Sequence, residues 1–285
     1  MKNGTLLVLS LFVALAACWL IVPASCEWIA LALMVCAGIP HGSFDLRVAE
    51  AKWRRSPSSR KMIVTAYLGG VFGMTGLCVF FPLLGISLFL LISALHFSEG
   101  EINATTPPSS LIGPAFGVSA ILLPIGLHTD EAQNYMGYFV SQDIFASISA
   151  HLQIVARVVA VIVAISLLLS LQQRRYDSAE SLQRLLCLVA WVILPPLAGF
   201  TVWFIGRHSR QHLELCREMF SSRGIRIPLD FAVISALALL GLLPFALYFD
   251  FSRIEELFAA SLCLIAGLTL PHMVVSHRMR ESLDL

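Results

Sequence analysis

The chain has 285 residues, 58% of them hydrophobic and only 13% charged, with a mean hydropathy of +0.82. A soluble domain carries about 25% charged residues and still leaves about a quarter of its unfolded surface wet, so this composition excludes a soluble globular protein. The formal charge of +1 argues against a nucleic-acid partner.

The long apolar runs point to an all-α, polytopic membrane protein rather than a barrel. Residues 1 to 22 open with Met-Lys-Asn and continue as an uncharged apolar run. Leu15-Ala16-Ala17-Cys18 resembles a lipoprotein cleavage box, but Trp19 to Val22 stay apolar where a mature lipoprotein turns polar. The run therefore reads as a retained first span. Trp28 to Ile39 is short for a span, so its helix is expected to continue past Pro40 into the segment containing His41 and Asp45. The loop that follows carries Arg47, Lys52, Arg54, Arg55, Arg60 and Lys61, and the positive-inside rule makes it cytoplasmic, with the amino terminus.

Met62 to Phe81 and Leu83 to Phe97 form the next pair, hinged at Pro82, and a loop with Pro107-Pro108 follows. Leu111 to Leu127 runs outward, and His128 to Asp143 is acidic and free of Lys and Arg, as suits an outer loop. Ile144 to Leu171 is long enough to return at a tilt, and Arg174, Arg175 and Arg184 mark the inside again. If Leu185 to Ile205 were one span, it would export Arg207, Arg210, Arg217, Arg223 and Arg226. Pro195-Pro196 removes backbone donors and breaks the helix. A short outward helix over 179–194 and a returning one from Leu197 past His212 are therefore expected. Leu229 to Phe249 and Leu257 to Val275 complete about 8–10 crossings. The result is one integral domain, 1–285, in the plasma membrane with both termini cytoplasmic. The seven cysteines (Cys18, Cys26, Cys36, Cys78, Cys187, Cys216, Cys263) form no C-x-x-C pair and read as reduced packing residues.

The eight histidines are not spread evenly. His128 falls in the outer loop, His151 partway down a span as a packed or hydrogen-bonded residue, and His277 in the basic tail. His41, His96, His208, His212 and His272 each lie near the end of an apolar helix, and in this topology every such end is cytoplasmic. Ionisable groups at membrane depth are expensive and usually line a functional cavity. His208 and His212 are four residues apart, so on a helix they share a face and can grip one metal ion. The plainer alternative is a membrane-edge cluster anchored by its arginines. Neutral imidazole suits iron, zinc and copper. Asp45 follows His41 by four residues and Glu99 follows His96 by three, so each carboxylate can orient its histidine. Equally, these pairs could be polar plugs that satisfy one another.

Four motifs stand in order: Pro40-His41-Gly42 with Asp45; His96-Phe97 with Glu99; Arg207-His208-Ser209-Arg210-Gln211-His212; and Thr269-Leu270-Pro271-His272-Met273. Together, over about residues 38 to 275, they resemble the Brp/Blh family, bacterial membrane enzymes that cleave β-carotene to retinal. The resemblance implies an all-helical dioxygenase with non-haem Fe(2+), a carotenoid substrate drawn from the bilayer lipid, O2 as co-substrate, and retinal that can pass to an opsin. Carried over by motif, the implied iron ligands are His41, His96, His208 and His212, with His272 a further ligand or an orienting group beside Asp45 and Glu99. No catalytic side chain beyond these is implied. Arg207 departs from the family pattern, which usually has an aromatic residue there. A cation beside a metal site is unfavourable unless it points away. Phe44, Phe97, Trp203 and Phe204 adjoin the motifs and are candidates for a polyene channel, or ordinary core aromatics. Two competing readings remain: a membrane di-iron desaturase or hydroxylase, opposed by the absence of any His-His pair, and a metal-free transporter or opsin accessory protein.

Overall fold

The structure, a computed structural model, describes residues 2–53, 57–101, 112–172, 178–221 and 227–281. The side chains of His41 and Lys52 lie outside the described residues. So do Arg54, Arg55, Pro107, Pro108, Arg174, Arg175, Arg223 and Arg226. Every described element is a helix. Among the described residues, six segments are long and apolar enough to cross a membrane: Gly4–Ile21, Pro23–Ala51, Arg60–Phe80, Pro82–Gly100, Gln142–Leu169 and Ile254–Arg280. Gly113–Leu127 and Ala232–Leu247 are shorter apolar helices.

Prolines set most of the reversals. Helix α1 (Lys2–Ile21) ends just before Val22, and α2 (Pro23–His41) starts on Pro23. Pro fits the first helical turn because its missing N–H has no partner there anyway. The Cys26 thiol donates to the Leu15 carbonyl at 3.4 Å, so the two helices fold back on each other. Helix α2 passes through Pro40, then a 3-10 turn Gly42–Phe44, into α3 (Asp45–Trp53). Helix α4 (Pro57–Phe80) and α5 (Pro82–Gly100) are divided at Phe81-Pro82 as the sequence implies. Next come α6 (Ile112–Leu127), a short α7 (Thr129–Met136) inside the acidic segment, and the long α8 (Gln142–Gln172).

The double proline divides α9 (Ser178–Ile193) from α10 (Pro196–Trp203). These two helices pack side by side. A Cβ on Gly199 of α10 would lie 2.9 Å from the Ala190 carbonyl of α9. Lower down, Arg207 reaches Glu180 at 3.0 Å, so the chain reverses at Pro195-Pro196. The arginines that prompted this reading play another part. Arg184 and Arg207 are fully buried, and Arg210 pairs with Glu214 at 2.7 Å, so these three are not simple interfacial anchors.

A π-helix, Phe204–Ser209, continues α10 and leads into α11 (Arg210–Ser221). Helix α12 (Ile227–Leu240), a 3-10 turn Leu243–Leu247 and α13 (Ile254–Glu281) complete the chain.

Lipid does not press apolar helices together as water does, so packing relies on close backbone approach and polar contacts. Gly117 on α6 shows this: a Cβ there would sit 2.5 Å from the Phe97 carbonyl carbon of α5. Large residues such as Phe72, Phe80, Ile154 and Val161 face outward, where the bilayer solvates them.

The interior has two apolar clusters. The larger holds Ile39, Phe97, Phe204 and Ala266, and the smaller holds Phe44, Cys216, Val275 and Met279. Three segments pass from one cluster to the other, and each carries motif histidines at the crossing: His41 between Ile39 and Phe44, His208 and His212 between Phe204 and Cys216, and His272 between Ala266 and Val275. A polar layer therefore lies between two dry cores.

Candidate functional site

Four buried imidazoles meet in that layer. His96, near the end of α5, lies with its ring centroid 5.0 Å from His208 and 5.0 Å from His272. His272 is in turn 4.8 Å from His212. All four residues are at most 6% exposed, which for histidine in an apolar helix demands compensating polar contacts.

Asp45 supplies one of them. It is the first residue of α3, where a carboxylate also suits the positive end of the helix dipole. Its Oδ1 lies 2.8 Å from Nδ1 of His272. The Tyr67 hydroxyl of α4 donates to Asp45 Oδ2 at 2.9 Å. The sequence suggested that Asp45 can orient His41, four residues away, whose side chain lies outside the described residues; the described contact joins Asp45 to His272. Asp45, His212 and His272 each offer a ligand atom within 4.8 Å of the others. Among the described residues they form the one metal-competent group.

Local breaks in helix geometry aim these side chains. Pro40 precedes His41 and Pro271 precedes His272, both inside helices, where a proline frees the carbonyl four residues earlier and bends the axis. The His41 backbone ends α2 beside Gly42, whose added Cβ would be 3.4 Å from Asp45 Oδ2 and 3.6 Å from His272 Nδ1. Gly42 thus borders the Asp45–His272 pair at ordinary van der Waals distance.

His208 belongs to the π-helix, a wide turn often found at functional sites. The shared helical face expected for His208 and His212 is accordingly modified. His208 turns to His96 while His212 turns to His272. His212 also has the Cys216 thiol 3.4 Å from Nε2 and the Ser276 hydroxyl 3.5 Å from Nδ1.

Aromatic rings wall His208. Trp203 lies nearly flat on it at 5.2 Å and 29°, Phe204 at 5.6 Å and 17°, and Phe97 meets it edge-on at 4.8 Å. Phe44 is separate and stacks on Phe220 in the smaller core. Beside this layer is a cleft of about 490 Å³, lined by Cys36, Ala37, Pro40, Ile205 and Ser209 among others.

The remaining sequence candidates fall elsewhere. The Glu99 carboxylate is 3.3 Å from Nδ1 of His277, at a half-exposed position, rather than serving His96 alone on their helix. The His128 ring faces the Trp191 carbonyl at 2.9 Å. His151 is exposed on α8 and is not packed.

Sequence reasoning missed Tyr67 and Cys216. It also missed Glu101, which is 1% exposed and accepts from Arg207 Nη2 at 2.7 Å and Arg184 Nη2 at 3.2 Å. The Arg207 guanidinium is directed into this carboxylate.

A family model described as Beta-carotene 15,15'-dioxygenase matches residues 32–280. The Beta-carotene 15,15'-dioxygenase of Uncultured marine bacterium 66A03 is 25% identical over 266 residues, covering 87% of this chain and 92% of that protein. No solved structure matches. The matched stretch contains His96, His208, His212, His272 and Asp45. A membrane-embedded bundle closed around a layer of imidazoles, matched over most of its length by one family model, belongs to the beta-carotene 15,15'-dioxygenase family.

Proposed function

We propose that this chain is an iron-dependent enzyme of the plasma membrane that splits β-carotene at its central 15,15′ double bond with O2, giving two molecules of all-trans-retinal. The observation that carries the reading is the four-imidazole layer, sealed between two apolar cores, in a member of this family.

The donor set fits a ferrous ion. Imidazoles sharing one ion through bonds of about 2 Å bring their ring centroids to roughly 5 Å of one another. The spacings of 4.8–5.0 Å agree with that. His212 and His272, with Asp45 beside them, offer ligand atoms within 4.8 Å of one another; His96 and His208 are the further imidazoles of the layer that would close on the ion, and the His41 backbone ends α2 at the same level. Iron in an all-nitrogen site supplies activation of dioxygen.

The chain's own residues do the rest. Asp45, as a carboxylate, can only accept, so it keeps the His272 proton on Nδ1 and makes Nε2 the nitrogen that carries the lone pair. Phe97, Trp203 and Phe204 give the polyene a flat apolar wall beside His208 and keep water out. The adjacent cleft by Pro40 and Ser209 offers a route by which a carotenoid enters from the bilayer. Retinal returns to the lipid, from which an opsin can take it. Both termini lie in the cytoplasm on this reading, from the positive-inside bias of the loops.

The test is expression in β-carotene-producing bacteria. The expected outcome is loss of orange colour with retinal recovered on extraction, and about one iron per purified chain. Unchanged carotene with the protein present in the membrane would overturn the activity. Two irons per chain, or zinc alone in active protein, would overturn the proposed centre.

A further inference from the structure

Behind His208, on the side away from the other imidazoles, four charged side chains meet inside the bundle. Glu101 accepts from Nε and Nη2 of Arg207 at 2.8 and 2.7 Å. It also accepts from Nε of Arg184 at 3.2 Å. Glu180 closes the group, 3.0 Å from Arg207 and 3.1 Å from Arg184. Within this group two cations face two anions, and a third guanidinium, Arg280, lies near Gly100 and interacts with Glu101 as well. Arg184 and Arg207 are 0% exposed and Glu101 1%. A buried ion pair is weak evidence for stability, because desolvation offsets most of the attraction. The cluster therefore calls for another explanation.

Three links run from this cluster to His208. The Trp203 indole Nε1 donates to Glu101 Oε1 at 3.3 Å, and the same indole lies nearly parallel to the His208 ring at 5.2 Å. Arg207, gripped by both oxygens of Glu101, is the residue immediately before His208 in the π-helix. Gly100, immediately before Glu101, borders His208 directly, for a Cβ there would lie 3.5 Å from the His208 Nδ1. One carboxylate thus holds the plate on which the imidazole rests, the backbone that carries it and the backbone beside it.

We propose that Glu101 is a positioning residue for His208, setting the orientation of that imidazole through Trp203 and Arg207. The inference rests on the reading of His208 as an iron ligand. The pairing has a second consequence: the charge of Arg207 is offset by Glu101 and Glu180, which weakens its field at a cation held by the histidines.

The experiment titrates ferrous ion into purified, detergent-solubilised protein against a competing chelator. It compares wild type with Trp203→Phe and with the fully uncharged variant Glu101→Gln/Glu180→Gln/Arg184→Met/Arg207→Met. Trp203→Phe keeps an aromatic face and loses only the donor to Glu101. The uncharged variant removes the network without stranding a charge. Loss of an orienting partner typically weakens metal affinity 10–100-fold, and that range is expected for the uncharged variant. Trp203→Phe is expected at its lower end, with kcat reduced even at saturating iron and saturating β-carotene. Wild-type affinity in a folded Trp203→Phe protein overturns the positioning role and leaves the dioxygenase reading standing. That variant decides the question alone if the uncharged protein does not fold. Failure of the wild type to take up ferrous ion overturns both.

Discussion

Replacing Asp45 by asparagine changes the charge at the centre of the histidine layer with almost no change in volume. Asp45 is 1% exposed and accepts from His272 at 2.8 Å and from Tyr67 at 2.9 Å. A hydrogen bond to a charged group contributes about 1.5–3 kcal/mol net, against about 0.5–1.5 for a neutral one. With both contacts kept but uncharged, Asp45→Asn is expected to destabilise the fold by about 1–3 kcal/mol. The effect on metal is of a different kind. The asparagine amide can turn its NH2 toward His272 Nδ1, which stabilises the tautomer with the proton on Nε2 and withdraws that nitrogen from binding. Ferrous-ion affinity is expected to fall about 10–100-fold, equivalent to about 1.4–2.8 kcal/mol. The assay is retention of ferrous ion against a chelator, paired with retinal formation at saturating iron. Tyr67→Phe serves as the comparison, since it removes the other partner of the same carboxylate and leaves His272 its acceptor. A folded Asp45→Asn protein that binds ferrous ion as tightly as wild type would refute the assignment of Asp45 as the group that orients His272.

His212→Ala is expected to abolish retinal formation at a folding cost within about 0.5–3 kcal/mol, whereas His151→Ala, on the exposed face of α8, keeps wild-type turnover; membrane levels and extracted retinal measure both. Gly117→Ala places a methyl 2.5 Å from α5 backbone that cannot move aside, so a loss of about 1–3 kcal/mol or more is expected, read as reduced thermal stability in detergent, and a protein as stable as wild type contradicts the close helix contact. Single cysteines at Glu214 and at Tyr248, both exposed, are expected to react with impermeant reagents from opposite sides of the membrane, Glu214 from the cytoplasm; labelling of both from one side contradicts the crossing between them.

The helices and the level of the histidines were legible in the sequence because both depend on local pattern. Proline placement marked the reversals at Pro82 and Pro195-Pro196, and apolar run length marked where each histidine falls. What could not be read is long-range pairing. Asp45 lies four residues from His41 but meets a histidine 227 positions away. Arg184 and Arg207 obey the charge rule for cytoplasmic loops, so they read as interfacial anchors. Their shared carboxylate is 83 and 106 positions away, and only the packed bundle reveals that they are interior. The π-helix escaped notice for a related reason. Phe204 to Ser209 contains no proline to announce a break, and the partners of Arg207 and His208 within it come from distant helices.

The family match begins at residue 32, yet the helix before it is built into the site. A Cβ on Gly206, two residues before His208, would lie 2.8 Å from Val8 of α1, and one on Gly4 would lie 2.7 Å from the Arg210 guanidinium. Thr5 accepts from Gln183 and donates to the Ala179 carbonyl. The first turns of α1 thus caulk the seam between α9 and the π-helix. A recombinant version trimmed to the matched stretch would open that seam to detergent or lipid, directly over the backbone of His208. Fusion partners and affinity tags at the amino terminus face the same constraint. The shortest piece of this chain that retains a closed histidine layer therefore starts well ahead of the region by which its relatives are recognised.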